Sequence, residues 1–124
     1  MAGGLGGYVS LMRPKNLVLA SATVPLGAYF ALMDSSNTFP FLAVALHTLS
    51  VLCFTGAGNA MNDIKDAEID ATAHPQRPIP SGQVSLDGAG KFTSVLWCVS
   101  VFAHIGGLLV VEPEGAVHLP TILI

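Results

Sequence analysis

With 124 residues, 52% of them hydrophobic and only 10% charged, the chain has a mean hydropathy of +0.63. Soluble domains carry about 25% charged residues, so a water-facing surface of ordinary polarity is excluded and an integral membrane protein is the first inference. The net charge of −3 argues against a nucleic-acid partner, because no basic stripe exists to neutralise phosphates.

Arg13-Pro14-Lys15-Asn16 opens the first apolar run, Leu17 to Met33, which is uncharged and interrupted by Pro25 and Gly27, as membrane helices tolerate. Ala20-Ser21-Ala22 mimics a signal-peptide cleavage site. The apolar stretch before it is too short for a signal peptide and continues past it, so the run reads as a span. Phe41 to Ala60 is the second uncharged run; at about 1.5 Å per residue it matches a hydrocarbon core of about 30 Å. A polar loop over 61–91 follows, then a third span from Phe92 to Val111. Val117 to Ile124 is apolar but too short to cross, and reads as the start of a fourth helix. The spacing predicts long helices near 16–33, 40–70 and 86–111, with 71–85 irregular. The whole of 1–124 then reads as the N-terminal part of one all-α, polytopic transmembrane domain.

Charge fixes the expected topology. All five basic residues (Arg13, Lys15, Lys65, Arg77 and Lys91) precede the first span or lie between the second and third. With three crossings, the N-terminus and the 61–91 loop share a side, which the positive-inside rule makes cytoplasmic. A multi-pass protein of the cell membrane is expected. Cys53 and Cys98 fall inside spans and read as small buried apolar residues. His47 and His104 also lie in spans, where hydrogen bonding to a neighbouring helix is the ordinary role; His74 reads as a surface residue. Gly56 and Gly58 are expected to permit close helix packing, and Trp97 lies too deep for an interfacial belt.

The chemistry concentrates in the loop. Of eight acidic residues, four lie between Asp63 and Asp70. If the second helix continues through Asp70, then at about 100° per residue Asn59, Asp63, Asp66 and Asp70 fall within about 60° of arc, with Asn62 beside them. Glu68 and Lys65 point elsewhere. Such carboxylates repel one another unless a cation intervenes. Their hard oxygens, without imidazole or thiolate, suit Mg²⁺, whereas the glycine and terminal glutamate of a calcium-binding EF-hand are missing. Downstream, Arg77-Pro78-Ile79-Pro80-Ser81-Gly82 forms a stiff turn, because each proline fixes its own φ and restrains the residue before it. A guanidinium held there beside a metal cluster suits a diphosphate, although a snorkelling anchor is the ordinary reading of one arginine. Ser85 is placed to cap the third helix, with Asp87 in its first turn.

At Asn62 to Asp70 and Arg77 to Gly82 the sequence resembles the UbiA superfamily of intramembrane prenyltransferases. Asn62, Asp63, Asp66 and Asp70 match its N-D-x-x-D-x-x-x-D motif. Arg77, Pro78, Ile79, Ser81 and Gly82 match R-P-[IL]-x-S-G, and Arg13, Pro14 and Asn16 match the R-P-x-N opening. The resemblance implies that Asn62, Asp63, Asp66 and Asp70 bind Mg²⁺, and that Arg77, with Arg13 and Asn16, contacts a polyprenyl diphosphate donor. In the implied reaction magnesium neutralises the diphosphate, the C1–O bond ionises towards an allylic cation, and an acceptor nucleophile captures it. Family members also carry a second aspartate-rich motif in a later loop, which is absent here, so the chain by itself is expected to be inactive. The run through Pro75 and Arg77 to Gly82 is most similar to the geranylgeranylglyceryl phosphate geranylgeranyltransferase and chlorophyll synthase branches. The expected acceptor is geranylgeranylglyceryl phosphate, in ether-lipid synthesis among membrane lipids. Prenylation of an aromatic or chlorophyll-type acceptor, or a non-enzymatic Mg²⁺-binding membrane protein, are the alternatives.

Overall fold

The computed structural model describes residues 4–34, 36 and 38–110, and every described element is helical. Five helices follow in order: α1 (Leu5–Met12), α2 (Pro14–Leu32), α3 (Phe41–Lys65), α4 (Ala67–Ala73) and α5 (Leu86–Leu109). α3 is central, with α5 packed along one side of it, α2 along another and the short α1 against its C-terminal half. The expected fourth helix from Val117, and the last residue of the third span, lie outside the described residues.

The breaks between helices have local causes. Proline disfavours the right-handed helical region for the residue before it, and Pro14 also occupies the first position of α2. Arg13 resolves the conflict by turning left-handed, with φ 56° and ψ 73°, a conformation costing a non-glycine residue on the order of 1–2 kcal/mol. The long helix expected over 40–70 is divided at Asp66, where φ −90° and ψ 2° end α3. The hydrogen-bond ladder still bridges the break: Asp66 N–H donates to the Asn62 carbonyl at 2.9 Å and Asp70 N–H to that of Asp66 at 2.8 Å. α4 therefore carries on from α3 and extends to Ala73, three residues into the segment expected to be irregular. Turns fill 74–85, closed by Val84 N–H on the Pro78 carbonyl at 2.9 Å and by Gly82 at φ 75°, which only glycine adopts cheaply. Ser85 caps α5 as expected, its Oγ accepting from Gly88 N–H at 3.0 Å.

α3 and α5 meet along mostly small side chains, with Leu96 the one large exception. Ala43, Ser50, Cys53, Gly56, Ala57 and Ala60 face Ala89, Thr93, Leu96, Ser100, Ala103 and Gly107. Small residues let backbones approach closely, which is how helices associate when lipid is as apolar as their side chains. Ser50 and Ser100 lock the seam reciprocally, each hydroxyl donating to the other's backbone carbonyl at 2.9 and 3.0 Å. His47 and His104 face each other at 5.1 Å between ring centroids, and the His47 ring fills the space a side chain on Gly107 would need. Trp97 stacks edge-on against the exposed Phe54 across the same pair of helices. Gly56 is buried against Met12, whereas Gly58 has open space around it and plays no part in close packing. Cys53 is buried, but Cys98 is exposed on the outer face of α5, contrary to its expected burial.

Among the described residues, α3 and α5 are long and apolar enough to cross a membrane, each with a mean hydropathy of 1.7 in its most apolar window. α2 has 19 residues but falls short in apolarity, because Pro14–Lys15–Asn16 and several small polar residues dilute it. Large apolar side chains stand outward: Phe30, Phe102 and Leu109 are 62%, 72% and 79% exposed. Such faces fit lipid or further helices and not water.

Candidate metal and diphosphate site

The site forms where α1, the end of α3, α4, the 74–85 turns and the start of α5 converge. Leu11, Ala60, Val84 and Ala89 make the apolar floor beneath it, with Tyr8, Ile64 and Ile79 packed around them. Tyr8 stacks on Phe92 at 5.1 Å, fastening α1 to α5.

Two aspartates stand on this floor. Asp63 and Asp70 are only 4% and 3% exposed, although both are acidic side chains in a chain of few charges. They lie seven residues apart, two helical turns, and the continuous ladder through Asp66 keeps them on one face. Burial of an isolated carboxylate is costly, and each is matched by a guanidinium. Arg13 Nη2 donates to Asp63 Oδ1 at 2.5 Å, and Arg77 Nη1 to Asp70 Oδ2 at 2.5 Å. Arg77 Nη1 also lies 3.7 Å from Asp63 Oδ1, so it bridges the two carboxylates. The arginines come from opposite directions in sequence: Arg13 from the left-handed α1–α2 junction and Arg77 from the proline turn, whose Pro78 is buried.

The remaining motif residues do not join this network. Asn62 and Asp66 are exposed, flanking the Asp63–Asp70 line as their helical angles require, and Glu68 is exposed at the opposite angle. Asn16 is exposed in the first turn of α2, its backbone N–H bonded to the Arg13 carbonyl at 2.9 Å. His74 is exposed at the end of α4. Three carboxylates do not converge in this arrangement; among the described residues no group of three potential metal ligands forms. Asp63 and Asp70 turn to arginine while Asp66 looks outward. Asn59, which shares the motif's face, donates instead from Nδ2 to the Met12 carbonyl at 2.8 Å.

The donor set nonetheless fits a hard divalent cation. All its members are carboxylate or amide oxygens. The ion pairs occupy Asp63 Oδ1 and Asp70 Oδ2, leaving the other oxygen of each carboxylate outside them. Two guanidiniums within the same cluster supply the forked donors that phosphate oxygens accept. Sequence reasoning found Arg77 through its adjacency to the aspartates. It missed the direct Arg13–Asp63 pair, because a contact across 50 residues has no local signature. The available hints were an arginine stranded before a proline ahead of the first apolar run, and the R-P-x-N resemblance.

Residues 19–123 match the UbiA prenyltransferase family. The digeranylgeranylglyceryl phosphate synthase of Methanosarcina mazei is 38% identical over 108 residues, which cover 80% of this chain and 37% of that protein. The enzyme of the same name from Methanothermobacter thermautotrophicus is 41% identical over 103 residues, 82% of this chain and 34% of that one. A solved structure from work on digeranylgeranylglyceryl phosphate synthase in membranes superposes with a TM-score of 0.72 at 29% identity, covering 85% of this chain and 39% of its own. The chain thus spans about a third of the length of the relatives it matches. With the family match running through both apolar helices and through Asp63, Asp70 and Arg77, the chain belongs to the UbiA prenyltransferase family.

Proposed function

We propose that the protein transfers a polyprenyl group, geranylgeranyl in particular, from its diphosphate to geranylgeranylglyceryl phosphate, making an ether bond of a membrane lipid. The observation that carries this reading is the pair of buried carboxylates, Asp63 and Asp70, bridged by Arg77, with Arg13 paired to Asp63, at the end of two apolar helices. Charge of both signs concentrated there suits a ligand with a polar diphosphate head and an apolar tail. The relatives named digeranylgeranylglyceryl phosphate synthase support the choice of acceptor.

In this account Asp63, Asp66, Asp70 and Asn62 hold Mg²⁺, and Arg77, Arg13 and Asn16 receive the diphosphate. Bound there, the cation would neutralise the leaving diphosphate and so ease ionisation of the C1–O bond. Arg13 and Arg77 act as phosphate grips whose side chains, 36% and 30% exposed, can reach outward from the carboxylates. The proline turn, with Pro78 buried, keeps Arg77 in place above the apolar floor. The basic residues sit at one end of the helix set, which supports a cytoplasmic placement for that end in a multi-pass arrangement.

The test is to co-express the chain with the remaining helices of the Methanosarcina mazei relative and supply geranylgeranyl diphosphate with candidate acceptors. Ether product from geranylgeranylglyceryl phosphate, abolished by chelation of Mg²⁺, is the expected result. Prenylation of an aromatic acceptor instead would overturn the acceptor assignment, and no product with any acceptor would overturn the activity. The chain alone is expected to turn nothing over, because the family's second aspartate-rich motif is absent from it.

A further inference from the structure

Asn59 takes part in none of the site's ion pairs, yet it sits one helical turn before Asp63 on the same face of α3. Its Nδ2 donates to the carbonyl of Met12 at 2.8 Å, across 47 residues of chain. Met12 is the last residue of α1, and a helix end leaves carbonyls without intrahelical partners. The next residue is Arg13, the one non-glycine residue with positive φ among those described. One turn earlier on α3, Gly56 makes room for the Met12 side chain: a Cβ there would stand 2.8 Å from Met12 Cε. Three successive turns of α3 therefore hold the α1–α2 junction, through side chain at Gly56, backbone at Asn59 and guanidinium at Asp63.

From this lacing we infer that Asn59 is a positioning residue: by fixing the Met12 carbonyl it sets the left-handed turn that aims Arg13 at Asp63. The inference rests on the proposed diphosphate reading only for its functional consequence. A left-handed arginine is intrinsically unfavourable, so the junction needs an outside restraint to keep one direction. Pro14 blocks the ordinary helical alternative, and the Asn59 amide selects among what is left.

Arginine-selective ¹⁵Nε NMR on the chain in detergent micelles tests the geometry directly. In the wild type, the Arg13 and Arg77 guanidinium signals should both show the slow exchange of a carboxylate-bonded group. Asn59→Leu, which keeps bulk but removes the donor, should convert the Arg13 signal to that of a free arginine and leave Arg77 unchanged. The Arg77 signal reports that the cluster is still folded. If the leucine variant loses both signals, Asn59→Ala, with less bulk, takes its place in the same comparison. An unchanged Arg13 signal in a folded variant overturns the inference. Binding of geranylgeranyl diphosphate with Mg²⁺ supplies the second readout. Loss of one aligning hydrogen bond should weaken it by on the order of tenfold in Asn59→Leu, with no further loss when that change is added to Arg13→Ala. Additive losses would show that Asn59 acts independently of Arg13 and overturn the inference. If the wild type binds no prenyl diphosphate, the proposed function fails, while the Arg13 signal still decides the role of Asn59.

Discussion

Removing Arg77 should expose how the aspartate cluster is balanced. Arg77 is the 2.5 Å partner of Asp70 Oδ2 and lies 3.7 Å from Asp63 Oδ1, so Arg77→Ala strips Asp70 of its guanidinium and leaves Asp63 with Arg13 alone. Breaking a fully buried pair costs about 3–5 kcal/mol, whereas an exposed one is worth about 0–1 kcal/mol. The carboxylate of Asp70 is 4% exposed and the arginine 30% exposed, which puts this pair between the two limits. A loss of about 2 kcal/mol follows, on the order of a thirtyfold fall in the folded-to-unfolded ratio. Thermal unfolding in detergent micelles, followed by helical circular dichroism, measures it. Arg77→Lys should fall between wild type and Arg77→Ala, since an ammonium keeps the charge but not the fork. Millimolar Mg²⁺ should recover part of the Arg77→Ala loss, because the cation would replace the missing positive charge beside Asp63 and Asp70. Equal stability of Arg77→Ala and wild type would refute the reasoning, as would an equal loss in Glu68→Ala, whose side chain is exposed on the far face.

Four other substitutions test the same structure. Gly107→Ala should be destabilising by about 1–3 kcal/mol, because its new Cβ would stand 2.7 Å from the His47 ring. Gly106→Ala, with Leu46 at 3.6 Å, should be nearly neutral in the same unfolding assay. Asp66→Asn should leave stability of the metal-free protein within about 0.5 kcal/mol, since the residue is exposed, yet abolish Mg²⁺-dependent transfer in the completed bundle. Glu68→Gln should change neither, and a matching loss of transfer at Glu68 would refute the helical-face assignment.

The long helices were legible because the apolar runs and their boundary residues act locally. Ser85 capping α5 is set within one turn of chain, whereas α2 begins at Pro14, two residues before the expected start near 16. The division at Asp66 was not, because the ladder continues through it and no proline or glycine marks the place. Helical angle correctly put Asp63 and Asp70 on one face. It could not tell that arginines would claim that face, nor that Asn59 would turn its amide to Met12 and not towards the aspartates. Those partners come from α1 and from the proline turn, so their positions depend on how separate segments pack. Cys98 shows the same limit on the apolar side. A residue inside a span faces either a neighbour or the surroundings, and the cysteine itself carries no signal to decide which.

The central claim is that Asp63, Asp66, Asp70 and Asn62 hold a divalent cation through which, with Arg13 and Arg77, a prenyl diphosphate is bound. Titration of the chain in lipid nanodiscs with geranylgeranyl diphosphate, in the presence of Mg²⁺ and again in excess chelator, tests it most directly. The account predicts binding with Mg²⁺ that is lost on chelation and lost equally in an Asp63→Asn, Asp66→Asn double variant. Binding of the same strength in chelator, or in that double variant with Mg²⁺, would contradict it.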